Sequence, residues 1–360
     1  MTSEPNNKTD LLSLLPEELE QFILSIGEPR YRAEQLFTQM HRGISPDDMT
    51  NVGKATKEKL RAHAFYALPT VRRKLVSALD GTVKYLFALH DGCCVESVVM
   101  KYKHGNTVCI SSQVGCRMGC AFCASTIGGK VRDLLPSEML GQIIAAERDT
   151  GERISNVVMM GIGEPLDNYD NVIRFLRLVG HEKGLNIGYR HISLSTCGLC
   201  DKIDRLAEES FPITLSISLH ASNDETRNAI MPVNRKFNIA RLLSSCRSYY
   251  EKTGRRISFE YTLIAGKNDS VEAAADLAAL LNGSLRKKGE KNTFPIHVNL
   301  IPVNPVDETG FSASDRQAVE KFAEALERKG IRATVRRRLG SDINASCGQL
   351  RRAEEAKLNQ

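Results

Sequence analysis

Cys116, Cys120 and Cys123 stand in a C-x₃-C-x₂-C loop, Gly115-Cys116-Arg117-Met118-Gly119-Cys120-Ala121-Phe122-Cys123. A structural zinc site usually closes with four ligands, often supplied as two C-x₂-C pairs. Three thiolates on a cubic iron–sulfur cluster instead leave one iron open to another ligand. The chain has ten cysteines. In a reducing compartment, where thiols stay reduced, they point to metal ligation or catalysis more than to a disulfide scaffold. Cys93, Cys94, Cys197, Cys200 and Cys246 read as packing residues. Cys197 and Cys200 lack the early βαβ context of a redox pair. Cys109, in an apolar run, reads by itself as a small buried hydrophobe. Cys347, after a polar glycine-containing stretch, reads as an exposed thiol on a mobile tail.

The elements that must position these residues fall into three patterns. Leu15, Leu19, Phe22, Ile23 and Ile26 recur at helical spacing after Pro16, and Ala33, Leu36, Phe37 and Met40 repeat it before Gly43. A third helix is expected from Asn51 to Ala64, with Lys54, Lys57, Lys59 and Arg61 facing outward. Short β-rich runs follow, including Val95 to Met100, punctuated by Asp80-Gly81, Asp91-Gly92 and His104-Gly105-Asn106, which reads as an antiparallel meander. From Thr107 onward, apolar strand, loop and amphipathic helix alternate about six times, the pattern of a parallel α/β sheet or partial barrel. The expected strands are Val108 to Ser111, Asn156 to Met160, His191 to Ser195, Ile213 to Leu219, Ile257 to Leu263 and His297 to Ile301. The chain therefore divides into a helical part (1–70), a β extension (71–106), a barrel (107–335) and a tail (336–360).

Ligands of such sheets bind at the carboxyl ends of the strands. The cysteine loop follows the first strand. Gly161-Ile162-Gly163-Glu164-Pro165 follows the second, where small residues permit close backbone approach and Glu164 can accept from an ammonium group. Ser195-Thr196-Cys197-Gly198 follows the third, Ser218-Leu219-His220 closes the fourth, and Asn304 follows the sixth. Each alone could be an ordinary loop or cap, but together they put polar groups around one rim. The ligand that fits is S-adenosylmethionine (SAM), whose amino and carboxylate groups can chelate an open iron and whose sulfonium is cleaved by one electron. The cysteine spacing resembles that of the radical SAM superfamily.

Longer motifs narrow this. Val95-Glu96-Ser97-Val98, Cys109 to Cys116, the cysteine loop, Gly163-Glu164-Pro165-Leu166, Ser218-Leu219-His220-Ala221 and Arg337 to Leu350 resemble the RlmN/Cfr family of radical SAM RNA methyltransferases, and the resemblance spans the whole chain. Pro165 leans toward the RlmN branch. The resemblance implies a partial (β/α)₆ barrel with a small N-terminal helical RNA-binding domain and an antiparallel β extension. It implies one [4Fe-4S] cluster on Cys116, Cys120 and Cys123, and SAM contacted by Gly163, Glu164, Ser195, Ser218, Leu219, His220 and Asn304, two per turnover. It makes Cys347 a transiently methylated cysteine, Cys109 its resolving partner through a disulfide, and Glu96 a proton acceptor. The implied targets are adenosine carbon 2 in the peptidyl-transferase region of 23S rRNA and in tRNA 3′ of the anticodon, with electrons from a donor such as flavodoxin or ferredoxin. Carbon 2 lies between two ring nitrogens and is too electron-poor to attack a methyl sulfonium, so a radical route through a relay thiol is chemically apt.

Composition agrees. A chain of 360 residues, 42% hydrophobic and 26% charged, is neither disordered nor fibrous. Neither a membrane span nor a signal peptide is legible, so a cytoplasmic protein is expected, and it is taken to be monomeric. The net charge of +6 favours a polyanion weakly. Arg72 to Lys74, Lys101, Lys103, Arg235, Lys236, Arg255, Arg256, Arg286 to Lys288 and Arg336 to Arg338 are candidate phosphate contacts. A base drawn into a barrel must leave its stack, which favours loops of folded RNA. Two rivals stay open: a Cfr-like enzyme acting at carbon 8, and a noncatalytic iron–sulfur or zinc RNA-binding module, which gives no reason for Cys109 and Cys347.

Overall fold

A computed structural model describes residues 8–286, 294–304, 310–343, 345, 348 and 350–351. Near the N-terminus, β1 (Thr9–Asp10) and β2 (Ala64–Phe65) pair in parallel around helices α1 (Pro16–Ser25), α2 (Tyr31–Met40) and α3 (Lys54–His63). Pro16 sits in the first turn of α1, where its missing N–H has no partner to lose, and Glu18 reaches back to accept from the Leu15 N–H at 2.9 Å. The third helix is shorter than expected because Gly53 is its N-cap and the chain turns extended at Ala64. Leu19, Ile23, Leu36, Phe37, Met40 and Leu60 share one hydrophobic cluster with barrel residues such as Leu140, Ile143 and Leu176. Polar contacts lock the same junction. The Ser13 and Ser137 hydroxyls donate to the Asp10 carboxylate at 2.6 and 2.5 Å, and Arg148 donates to the Gly43 carbonyl at 2.7 Å.

The meander is β3 (Thr70–Val76), β4 (Val83–Ala88), β5 (Cys94–Tyr102) and β6 (Gly105–Cys109), all antiparallel. A short hairpin, β7 (Gln113–Gly115) with β8 (Lys130–Asp133), brackets the cysteine loop, and α4 (Pro136–Thr150) follows. The α/β alternation then runs β9 (Ile154–Met159), α5 (Tyr169–Val179), β10 (Ile192–Thr196), α6 (Cys200–Leu206), β11 (Thr214–Ser218), α7 (Asp224–Ile230) and α8 (Ile239–Thr253). It ends with β12 (Ile257–Leu263), α9 (Val271–Leu285), β13 (His297–Pro302), α10 (Arg316–Arg328) and β14 (Arg332–Val335).

Sheet order is β14-β13-β12-β11-β10-β9-β6-β5-β4-β3, so the meander and the parallel strands form one ten-stranded sheet that turns antiparallel after β6. The expected partial barrel is present as an open sheet. A seventh parallel strand, β14, extends the expected six.

One face of this sheet carries helices, and the other lines a lumen. In β12 every residue is buried. Ile257, Phe259, Tyr261 and Leu263 join the main core, so the alternate residues Ser258, Glu260 and Thr262 occupy the lumen face. In β6, Val108 faces the core while Cys109 packs with Val98 and Met100 of β5 in a separate cluster. Among the described residues, no helix is long and apolar enough to cross a membrane.

Candidate active site

The cysteine loop leaves the sheet at its carboxyl end. Gly115 has φ +77°, and a Cβ there would stand 2.0 Å from the Gly129 carbonyl, which accepts from the Cys116 N–H at 3.0 Å. Only glycine fits this turn. The loop's far side is held to α7, where the Ala121 N–H donates to the Ile230 carbonyl at 2.9 Å. Cys116 and Cys120 are buried and Cys123 half-buried. Burial pushes the Cys116 thiol up to about 12, with Cys123 and Glu164 adding to it. The Cys120 thiol is raised in the same way. These thiols become thiolates only when a cation compensates them, as a cluster's irons would. Among the described residues no three His, Cys, Asp or Glu converge on a single-ion site.

Beside the loop lies a cavity of about 210 Å³ lined by Cys116, Cys120 and Cys123 together with Gly163, Glu164, Ser195, Ser218 and His220. Eight of the expected residues therefore meet in one place. Glu164 accepts from the Leu166 N–H at 3.0 Å and the Cys197 N–H at 2.7 Å, and burial raises its carboxyl. Gly163 (φ +108°) has a further reason to be glycine, since a Cβ would meet the Gln113 N at 2.8 Å. Gln113 holds this corner together by accepting from the Glu164 N–H at 2.9 Å and donating to Asp133 and Asp167 at 2.8 and 2.9 Å. Leu219 differs: its side chain is buried in the main core, and its N–H and carbonyl are already bonded to Glu260 O and Arg227 Nε.

His220 adopts φ +58° and accepts at Nδ1 from the Thr262 N–H at 2.9 Å, which assigns the hydrogen to Nε2. Burial, with Arg227 nearby, lowers its pKa to about 3, so it is a neutral donor at the cavity wall. His41, buried against Phe37 and with no hydrogen-bond partner among the described residues on either ring nitrogen, is likewise lowered to about 3 by burial and His181. Both histidines take up a proton on unfolding near pH 6.5 but not in the native state until about pH 3. Stability from these groups is therefore complete above 6.5 and falls as pH drops, by about 1.4 kcal/mol per pH unit for each. Urea titrations at pH 7, 6 and 5 should show His41→Met lowering this slope by one histidine's share. An unchanged slope would contradict the assignment.

A second cavity of about 370 Å³ shares Phe122, Cys123, Met160 and Arg336 with the first and is lined by Cys109, Asn304, Arg337 to Ser341 and Ala345. Asn304 thus belongs to the tail side rather than to the rim cavity. Cys109 packs with Val98 and Met100 against Leu339 and Ala345. Cys347 lies outside the described residues, but Ala345, Gly348 and Arg351 do not. Ala345 touches the Cys109 cluster, and the N–H groups of Gly348 and Arg351 donate to Glu96 at 2.9 and 2.6 Å. Glu96 also pairs with Lys84 at 3.0 Å, both side chains 1% exposed. Upstream, Asp342 accepts from the Ser77 hydroxyl and the Ala78 N–H, which docks the tail on the meander.

Several residues at the site went unread in the sequence. Cys197, taken there as packing, lines the rim cavity, and burial with Glu164 raises its thiol well above the usual range. Glu260 lies in the same cavity, and its alternation with Ser258 and Thr262 was the available signal. Arg227 is wholly buried behind it. Of the candidate phosphate contacts, Lys74 and Lys101 pair locally with Asp149 and Glu152, and Arg286 bonds Asn282 and Gly330. Lys103, Arg235 and Arg256 are exposed, Arg73 and Arg255 are half-buried, and Lys287 and Lys288 lie outside the described residues.

Comparison with known proteins gives one answer. Residues 110–278 match the radical SAM superfamily, and residues 9–65 match the ribosomal RNA large subunit methyltransferase N-terminal domain. A probable dual-specificity RNA methyltransferase RlmN of Alkaliphilus oremlandii is 51% identical over 96% of this chain and 98% of its own. A protein of the same description from Desulforamulus reducens is 49% identical over 99% and 100%. The crystal structure of a radical SAM methyltransferase from Sphaerobacter thermophilus superposes with a TM-score of 0.87 at 41% identity, covering 95% of this chain and 98% of the other. Identity at this level over nearly the full length means that the chain belongs to the RlmN family of radical SAM RNA methyltransferases.

Proposed function

We propose that this enzyme methylates carbon 2 of adenosine in the peptidyl-transferase region of 23S rRNA and in tRNA 3′ of the anticodon, through a methyl group carried on Cys347. The observation that carries the reading is the joining of two cavities. One is lined by the three cysteines, and the other is lined by Cys109 and the tail segment that leads to Cys347. The relatives' description as dual-specificity enzymes supports two RNA classes. Cys116, Cys120 and Cys123 would hold the cluster, which with SAM supplies the one-electron chemistry that makes a carbon-centred radical. Two SAM molecules are used per turnover, one as methyl donor and one as radical source. Gly163, Glu164, Ser195, Ser218, His220 and Asn304 would seat SAM, with Leu219 packed in the core behind this rim.

Cys347 would then join the base by a thioether. Glu96 would take the ring proton, and Cys109 would capture the Cys347 sulfur as a disulfide. A monomer reduced by a flavodoxin- or ferredoxin-like donor suffices for this scheme. The test is nucleoside mass spectrometry after anaerobic incubation of the reconstituted protein with rRNA or tRNA, SAM and reductant. The expected product is 2-methyladenosine, absent with Cys116→Ala. Methylation at carbon 8 alone would show the Cfr-like reading to be the right one.

A further inference from the structure

Arg227 has no exposed surface. Its Nε donates to the Leu219 carbonyl at 3.0 Å. One terminal nitrogen donates to Asn234 Oδ1 at 2.8 Å, and the other to the carbonyls of Cys197 at 2.8 Å and Ser218 at 3.1 Å. All four acceptors are neutral. The nearest acid in this network, Asp224, is one step removed, accepting from Asn234 Nδ2 and the Ile239 N–H. A guanidinium in the interior is costly unless an anion compensates it. Satisfied hydrogen bonds do not remove that cost, because carbonyl dipoles replace only part of the lost hydration.

The surroundings indicate which anion does so. Arg227 lies on α7, one turn before the Ile230 carbonyl that accepts from Ala121 of the cysteine loop. Cys120 and Cys197 pack in one cluster with Ile230 and Met231. The guanidinium therefore backs onto the wall of the cavity where the three cysteines converge. A cube held by three thiolates is net negative, and reduction by one electron adds a further negative charge to it.

We propose that Arg227 is the buried counter-charge of the cluster, a positioning residue that favours the reduced state and so sets the potential at which SAM is cleaved. This rests on the cluster reading of Cys116, Cys120 and Cys123. The side chain spends its hydrogen bonds tying the ends of β10 and β11 together, and its charge acts through space on the reduced cluster. In the cluster-free protein that charge is a liability, whereas in the loaded enzyme it is an asset.

The experiment is a redox titration of the reconstituted full-length protein followed by electron paramagnetic resonance, on wild type, Arg227→Gln and Arg227→Lys. Gln keeps a donor without the charge, and Lys keeps the charge without the fork. At a fixed potential the reduced-to-oxidised ratio should fall at least tenfold in Arg227→Gln, about 59 mV for a one-electron couple, and stay near wild type in Arg227→Lys. Cluster-free Arg227→Gln should melt no lower than cluster-free wild type. A wild-type potential in Arg227→Gln, or an equal displacement in both variants, would overturn the proposal. If Arg227→Gln takes up no iron, Arg227→Lys decides alone, with a wild-type potential supporting the proposal and a tenfold displacement rejecting it. Wild-type protein lacking any SAM-responsive signal would instead remove the cluster reading, before any variant is compared.

Discussion

Cys109→Ala should retain its fold, load its cluster and still join RNA to Cys347, yet fail to release methylated RNA, so that multiple turnover is lost. The expectation follows from where the thiol lies. Cys109 ends β6 on the lumen face, against Leu339 and Ala345 of the tail, in the cavity adjoining the three cysteines. An ordinary buried cysteine replaced by alanine loses a small apolar contact and nothing chemical. A resolving thiol replaced by alanine leaves the thioether without an acceptor for the Cys347 sulfur, so the adduct accumulates. Denaturing electrophoresis of Cys109→Ala purified from cells should show a slow band that nuclease shortens. The band should be missing from Cys109→Ala/Cys347→Ala. Free methylated RNA at the normal rate, or an adduct that survives loss of Cys347, would mean that both assigned roles are wrong.

What the sequence made legible was local pattern. The parallel strands appear as apolar runs closed by loops, and each observed strand lies within two residues of its expected limits at either end, apart from β6, whose start precedes the expectation by three. The cysteine loop and the Gly163-Glu164 turn were visible because their chemistry is written in consecutive residues. Less was visible where the signal is a contact between distant residues. The strand β14 is short and mostly exposed, so Arg332-Ala333-Thr334-Val335 carries no buried face to read. The hairpin β7–β8 depends on Gly115 meeting Gly129 across the cysteine loop. Arg227 sits in a short polar helix, Asp224–Ile230, where an arginine is ordinarily solvated; only the fold turns it inward.

Charges inside the β runs were the missed opportunity. Lys84 lies in Val83-Lys84-Tyr85-Leu86-Phe87-Ala88 and Glu96 in Val95-Glu96-Ser97-Val98, opposite charges within otherwise apolar strands. Antiparallel pairing sets Lys84 across from Val98 and Glu96 across from Leu86, which puts both charges on one face two positions apart. Such a pair is interpretable from sequence only once the register is known, because a slip of one residue would send one charge to the opposite face.

That pair should have the largest effect on stability of any position on the meander. Lys84 and Glu96 are each about as buried as a core leucine, and Glu96 also accepts from Gly348 and Arg351 of the tail. Lys84→Met removes the cation that pairs with a buried carboxylate, which should cost about 3–5 kcal/mol in urea unfolding. Lys84→Met/Glu96→Met removes both charges and should recover most of that loss, since an apolar pair of similar volume replaces a buried ion pair at little net cost. The tail should respond differently. In the double variant the Gly348 and Arg351 N–H groups have lost their acceptor, so Cys347 should alkylate faster and trypsin should cut sooner near Arg351 despite the restored stability. Recovery of stability together with a fully protected tail would show that Glu96 does not seat the segment bearing Cys347. Loss of both in parallel would show that the tail merely follows global unfolding.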